Sequence, residues 1–222
     1  MKADYTAELA EAQRRIEETP LEPFWPEARY LEYFNNLPVN LVSSFFARDA
    51  YVKKYGFALV SRETLSVLKD LLGGGPVLDA GAGTGYLAER LGGEGVKVVA
   101  ADIRDYSLAQ DSEGYPFQTV HRLDRVVGHA AELLPGEFTA VLLSWPCYQS
   151  SFAYEVAQAM QAGQTLVYQG EGVGGCTGDD AFHALLRDTG QWKPMTLRTE
   201  QLNAHHVQFS GIHDWWHAYK KV

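Results

Sequence analysis

The densest chemistry in this 222-residue sequence lies in Val77-Leu78-Asp79-Ala80-Gly81-Ala82-Gly83-Thr84-Gly85-Tyr86. Three glycines alternate between a short apolar run and a helix-forming stretch. Glycine there permits positive φ and lets a ligand touch the backbone, and the start of the helix beyond offers free N–H groups. A dinucleotide fingerprint spaces its glycines G-x-G-x-x-G and seats a pyrophosphate on the helix N-terminus. Here the third glycine comes one residue early. Asp79 stands before the first, where a carboxylate repels a pyrophosphate and favours a cationic group. A second carboxylate, Asp102, closes the apolar run 96–101 and lies 23 residues after Asp79. At a strand end it can accept both hydroxyls of a ribose. Two alternatives stay open: a tight strand–helix turn that binds nothing, and a nicotinamide-nucleotide domain.

S-adenosylmethionine carries an ammonium and a sulfonium and no phosphate, so it meets these requirements. Asp79, the three glycines and Asp102 together resemble motifs I and II of class I S-adenosylmethionine-dependent methyltransferases, over residues 76 to about 170. The resemblance implies S-adenosyl-L-methionine as cofactor, held by Asp79, Gly81, Ala82, Gly83, Gly85, Tyr86, Asp102 and Ile103. In that family an acidic residue after the third strand often meets the adenine amino group. This sequence departs with Gly128-His129-Ala130-Ala131-Glu132, leaving the His129 side chain or the Ala130 backbone for that contact. The plainer reading of His129 is a surface loop residue.

Ser144-Trp145-Pro146-Cys147-Tyr148 follows a strong apolar run at the position that faces the transferred methyl group in this family. Amino-methyltransferases read Asp/Asn/Ser-Pro-Pro-aromatic there. A side-chain oxygen and a backbone carbonyl accept hydrogen bonds from the target amine, and the aromatic ring packs on it. This exit resembles theirs with two departures: Trp occupies the acceptor position or is inserted after Ser144, and Cys replaces the second proline. Ser144, Trp145, Pro146 and Tyr148 are the candidate catalytic residues, with Ser144 also beside the cofactor. Pro146-Cys147 suggests a second chemistry, because pyrimidine C5-methyltransferases carry a nucleophilic thiolate after proline at this point. No second motif of that chemistry accompanies it, so Cys147 is read as a small residue behind the loop. The order of Ser61 to Leu65, the glycine loop, the 144–148 exit and Tyr168 to Asp180 resembles a poorly characterised methyltransferase-like group with a Trp-Pro-Pro-Tyr exit, over roughly residues 55 to 190.

Residues 169–180 hold five glycines, Glu171, Asp179 and Asp180 without the Gly-Lys-Ser/Thr of a phosphate loop, which argues against nucleoside triphosphates. Glu171 is a candidate to orient a substrate or accept its proton, or else a turn residue. Thr177 or Asp179 is suited to cap the next helix. His205, His206, His213, His217 and Asp214 tempt a metal reading. On a strand, however, His213 and His217 lie about 13 Å apart, so no metal site is assigned. Trp215, Trp216 and Tyr219 read as packing residues of a final strand.

The elements that must position these groups follow from periodicity. Helices are predicted over 3–18, 27–37 and 41–51, then from Ser61 with Leu65, Leu68, Leu71 and Leu72 as its stripe. Strands are predicted at 77–78, 96–101, 125–127, 138–143 and 165–168, with helices over 86–91, 152–160 and 180–187 and two more strands after Trp192. This alternation predicts an α/β fold, with a mostly parallel sheet covered on both faces. With the resemblance, it becomes a Rossmann-like class I methyltransferase fold with a seven-stranded sheet. Residues 1–60 form a helical N-terminal cap and 61–222 the cofactor-binding domain. Tyr55, Phe57, Phe45 and Phe46 are candidates to close over the site. For Phe45 and Phe46 the plainer reading is helix packing.

Composition bounds the rest. The hydrophobic share of 46% supports a core, and the net charge is −9. That charge favours a small molecule or a protein side chain over nucleic acid as methyl acceptor. Two cysteines without metal spacing fit a reducing compartment. No run is long enough for a membrane span, and residues 1–5 do not open a secretory signal, so the cytoplasm is the expected location. The expected activity is methyl transfer. The alternative is S-adenosylmethionine binding without transfer, by a cofactor-cleaving enzyme or an inactive regulatory subunit.

Overall fold

The computed structural model describes residues 6–38, 40–104 and 125–222. Four helices come first: α1 (Thr6–Glu18), α2 (Glu27–Asn35), α3 (Asn40–Lys54) and α4 (Arg62–Leu72). The alternating part runs β1 (Val77–Ala80), α5 (Tyr86–Gly93), β2 (Val98–Asp102), β3 (Arg125–Val127), α6 (Ala130–Leu133), β4 (Ala140–Ser144), α7 (Phe152–Ala159), β5 (Thr165–Gly170), α8 (Asp180–Asp188), β6 (Trp192–Pro194), α9 (Thr196–Asn203) and β7 (Trp215–Lys221). Positions 3–5 of the first expected helix lie outside the described residues.

One seven-stranded sheet has the order β3-β2-β1-β4-β5-β7-β6. Strands β1 to β5 pair in parallel, and β7 inserts antiparallel between β5 and β6. This is the expected α/β architecture, a mostly parallel, Rossmann-like seven-stranded sheet with helices on both faces. The order reverses between β1 and β4, so the crevice for a ligand opens at their carboxyl ends.

Register decides which residues share a face. Asp79 is level with Ala100 and Leu142, Ser144 with Gln169, and Gln169 with Trp216. Since side chains alternate, Val77, Leu142, Val167 and Trp216 join one core with the cap helices, α4 and α5. Leu78, Val141, Leu143 and Leu166 join the other with α6, α7 and α8. Asp79, Asp102, Ser144 and Gln169 therefore fall on the cap side of the sheet, at or near the strand ends. The cap core runs into the sheet without a break, from Ile16 and Trp25 through Tyr51 and Tyr55 to Leu142 and Trp216.

Local signals explain several boundaries. Ser61 caps α4 by accepting the Thr64 N–H at 3.0 Å, and Asp179 caps α8 by accepting the Phe182 N–H at 2.8 Å. Helices α6 and α9 appear where no helix is expected. Helix α9 carries one buried residue, Leu202, so it shows no apolar stripe to read. The packing expected of Phe45 and Phe46 is corrected: they stand 45% and 43% exposed on the outer side of α3. Trp216 is fully buried as expected, whereas Trp215 is 46% exposed. Among the described residues, no helix is long and apolar enough to cross a membrane.

Candidate active site

The glycine loop leaves β1 by a tight turn. The Gly81 and Ala82 N–H groups donate to Ala101 O at 2.8 and 3.0 Å. Gly81, Gly83 and Gly85 take φ of 73°, 55° and 82°, a region that other residues enter only at a cost. An added Cβ at Gly81 would meet the Phe152 ring at 3.1 Å, while one at Gly83 would meet nothing within 4 Å. The side of the loop above Gly83 is thus open, as a backbone cradle for a ligand requires. The loop tip is strapped down: the Gly83 N–H donates to Asp102 Oδ2 at 3.0 Å, and the Arg104 N–H to Asp102 Oδ1 at 3.1 Å.

Asp79 is buried in β1. Beyond the loop the Tyr86 ring turns into the cap core, beside Phe24 and Tyr55, and its hydroxyl donates to Ala58 O. Burial pushes the Tyr86 phenol well above its ordinary range, with the charges of Asp79 and Asp214 adding to the rise. Ile103 projects 63% exposed at the end of β2. His129 caps α6 by accepting the Ala131 N–H on Nδ1 at 3.3 Å. Its Nε2 lies 3.1 Å from Glu155 Oε2, and its ring edges onto Phe152 at 5.5 Å. Ala130, next to it, is buried.

The exit of β4 is rigidly built. Trp145 has φ of 51°, a left-handed conformation that costs a bulky residue about 1 kcal/mol or more. Its backbone N–H donates to Gln169 O at 2.8 Å, and its indole Nε1 donates to Asp214 Oδ2 at 3.2 Å. Phe57 stacks on the Trp145 ring at 5.8 Å, and the Arg48 guanidinium from α3 lies over both rings. Ser144 Oγ donates to Gln169 Oε1 at 3.2 Å. Pro146 is buried and its carbonyl accepts the Gly178 N–H at 3.2 Å, while Tyr148 and Cys147 face outward.

Glu171 sits in the loop after β5 with both oxygens engaged. One accepts the Cys176 N–H at 2.7 Å, the other the His213 N–H at 3.3 Å. The Glu171 charge, ahead of a little burial, pushes the Cys176 thiol up. The tail histidines disperse: His205 pairs with Glu27, His206 with Asp214, and His217 stacks on Tyr168. Among the described residues, no group of three or more His, Cys, Asp or Glu is placed to hold a metal ion.

The structure thus brings together Asp79, the glycine loop and Asp102 on one side of the crevice, and Ser144, Trp145 and Pro146 on the other. It sets Tyr86 into the core, and Tyr148 and Glu171 toward the rim. Sequence reading gave no role to Gln169 or Arg48, and weighed Asp214 only as a metal ligand beside the tail histidines. Gln169 left a usable signal: a polar residue on the inward alternation of an otherwise apolar strand must be buried with partners. Asp214 and Arg48 left none, because only the fold brings them to the β4 exit.

No family model and no curated protein matches the sequence. Solved structures do resemble it. One is the magnesium protoporphyrin IX methyltransferase of Synechocystis PCC 6803 with bound SAM, with 15% identity, TM-score 0.48, and 88% of this chain and 97% of that one covered. Another is the N-methyltransferase NodS of Bradyrhizobium japonicum, with 12% identity, TM-score 0.46, and 72% and 93% covered. A third is a TehB-like SAM-dependent methyltransferase of Corynebacterium glutamicum, with 16% identity, TM-score 0.44, and 72% and 88% covered. With identities under a fifth and scores under one half, these likenesses carry nothing about activity or ligand. The strand order itself defines the fold.

Proposed function

We propose that this chain is an S-adenosylmethionine-dependent methyltransferase acting on a small molecule or a protein side chain. One observation carries the reading. Two carboxylates on the cap side of adjacent strands, Asp79 and Asp102, bracket a glycine loop whose tip is open above Gly83 and strapped to Asp102. The donor set fits the cofactor. Asp79 suits the ammonium, Asp102 has acceptor capacity left for ribose hydroxyls because a carboxylate offers about four lone-pair sites, and no cationic side chain stands in the loop for a phosphate. Past β3 both ring nitrogens of His129 are engaged, so the Ala130 backbone is left for the adenine. When bound, the cofactor supplies a methyl group already activated by its positive sulfur.

What the chain contributes is then placement and shelter. Alignment of a bound nucleophile supplies much of the rate in such transfers. Ser144 offers an oxygen at the acceptor side. The Phe57–Trp145 stack walls it off from water on the cap side, and the Arg48 charge above the stack biases that wall toward an anionic or electron-rich acceptor. The net charge of −9 speaks against a nucleic acid substrate.

Calorimetry tests the reading. S-adenosylmethionine and S-adenosylhomocysteine are expected to bind, a nicotinamide dinucleotide is not, and Asp79→Asn weakens binding at least about tenfold. Clean titration by the dinucleotide with no heat from the other two would overturn it. Incubation with cofactor alone separates transfer from cleavage: a transferase leaves it intact.

A further inference from the structure

Behind Ser144 lies a hydrogen-bond chain whose direction the structure fixes. Asp214 is buried in the turn before β7, and its Oδ2 meets two donors: Trp145 Nε1 at 3.2 Å and Gln169 Nε2 at 2.8 Å. An indole N–H only donates, so Oδ2 is an acceptor whatever the protonation of the other oxygen. Gln169 must therefore turn its amide nitrogen toward Asp214. Its carbonyl is left facing Ser144, 3.2 Å from Oγ. Gln169 is completely buried, so each end of its amide is held by a protein partner. The Ser144 proton is then committed to Gln169. A hydroxyl whose proton is spent keeps only lone pairs to offer.

We infer that Asp214 and Gln169 are positioning residues that make Ser144 a one-way hydrogen-bond acceptor, so the methyl acceptor presents an N–H or O–H to it. The inference rests on the methyltransferase reading and narrows its substrate class to amines, amides, phenols and other hydroxyl compounds, against carbon acids and thiolates. The same carboxylate locks the Trp145 indole, so acceptor polarity and the aromatic wall share one anchor. His206 completes the anchor, with Nε2 2.9 Å from Asp214 O. No proton leaves through this chain. It orients the nucleophile's own N–H or O–H; as the N–CH₃ or O–CH₃ bond forms and the S–CH₃ bond breaks, S-adenosylhomocysteine leaves and that proton is released to solvent.

A neutron structure of the deuterated wild-type protein reads the hydrogens directly and needs no substrate. The Ser144 deuteron is expected on the line to Gln169 Oε1, with the amide deuterons toward Asp214. A reversed amide, or a Ser144 deuteron turned away from Gln169, overturns the proposal. In parallel, transfer of labelled methyl is measured with ethanolamine, a simple phenol, an aliphatic thiol and an enolisable ketone as probes. Transfer to the amine or phenol supports it, and transfer to neither overturns the substrate class.

Gln169→Leu is expected to lower kcat at least about tenfold with donor affinity held within about threefold, and to cost clearly less in a Ser144→Ala background, where only its contact with Asp214 is left to lose. Additive losses overturn the coupling. Gln169→Met fills the same space without a carbonyl, so it is expected to lose as much as Gln169→Leu. Activity within about threefold of wild type in that variant would reduce Gln169 to packing and overturn the polarity role. Absence of donor binding in calorimetry would sink the methyltransferase reading instead, while the deuteron positions stay informative about the chain itself.

Discussion

The Gly83 backbone N–H rests on the Asp102 carboxylate at 3.0 Å, tying the tip of the glycine loop to the end of the neighbouring strand. One side chain thus shapes the cradle and offers its remaining lone pairs to a ligand. Charge-assisted hydrogen bonds of this kind contribute about 1.5–3 kcal/mol. Asp102→Ala is therefore expected to weaken S-adenosylhomocysteine binding by about 10- to 100-fold. Asp102→Asn should retain part of the affinity. Unchanged affinity in the alanine variant would show that the strap is structural only.

Gly83 separates binding from folding. Its φ of 55° makes any side chain unfavourable, but nothing lies within 4 Å of an added Cβ. Gly83→Ala should cost about 1 kcal/mol of stability and place a methyl group in the space a ligand would use. Gly95 supplies the control, with φ of 91° and equally open surroundings, in the turn between α5 and β2. Urea denaturation should show similar losses for the two alanine variants. Only the Gly83 variant should lose donor affinity in calorimetry, and equal affinities would remove the cradle.

The alternation of strands and helices was legible because core burial writes itself into local periodicity, as at Leu65, Leu68 and Leu72 of α4. The gathering of Asp79, the glycines and Asp102 was legible too, since one strand–turn–helix unit and the next strand set them. The surroundings of Ser144 were not. Trp145 reads as a departure from a motif until Asp214, 69 residues later, is seen accepting from its indole. Gln169 becomes meaningful only from its register with Ser144. Short helices such as α9 escape because few of their residues face a core, and the outward turn of Phe45 and Phe46 breaks the rule that large apolar side chains pack inside.

The Glu171–Cys176 contact gives a reactivity prediction. The carboxylate beside it raises the Cys176 thiol above its ordinary range, so less thiolate is present at neutral pH. In a Cys147→Ser background, where Cys176 is the sole thiol, alkylation rate against pH should show a midpoint above that of a free cysteine. Glu171→Gln should move the midpoint down and speed alkylation at pH near 7. An unmoved midpoint would show that the thiol does not sense that charge.

Acid sensitivity should trace in part to His217. Its ring is stacked on Tyr168 at 5.7 Å and near Tyr219 at 6.3 Å. Burial first, and the nearby His183 second, hold its pKa below the usual histidine value. The unfolded chain therefore binds a proton at a pH where the fold still refuses it. By linkage, stability is complete above about pH 6.5, the unfolded value, and falls as pH drops toward the lower folded value. His217→Phe keeps the stacked ring and removes the titration. Thermal melts from pH 7.5 down to about 5 should therefore show a shallower acid decline for the variant than for the wild type. The two should differ by a roughly constant amount above neutrality. Parallel curves across the whole range would mean that the ring protonates as readily in the fold as out of it, and would place the acid-labile group elsewhere.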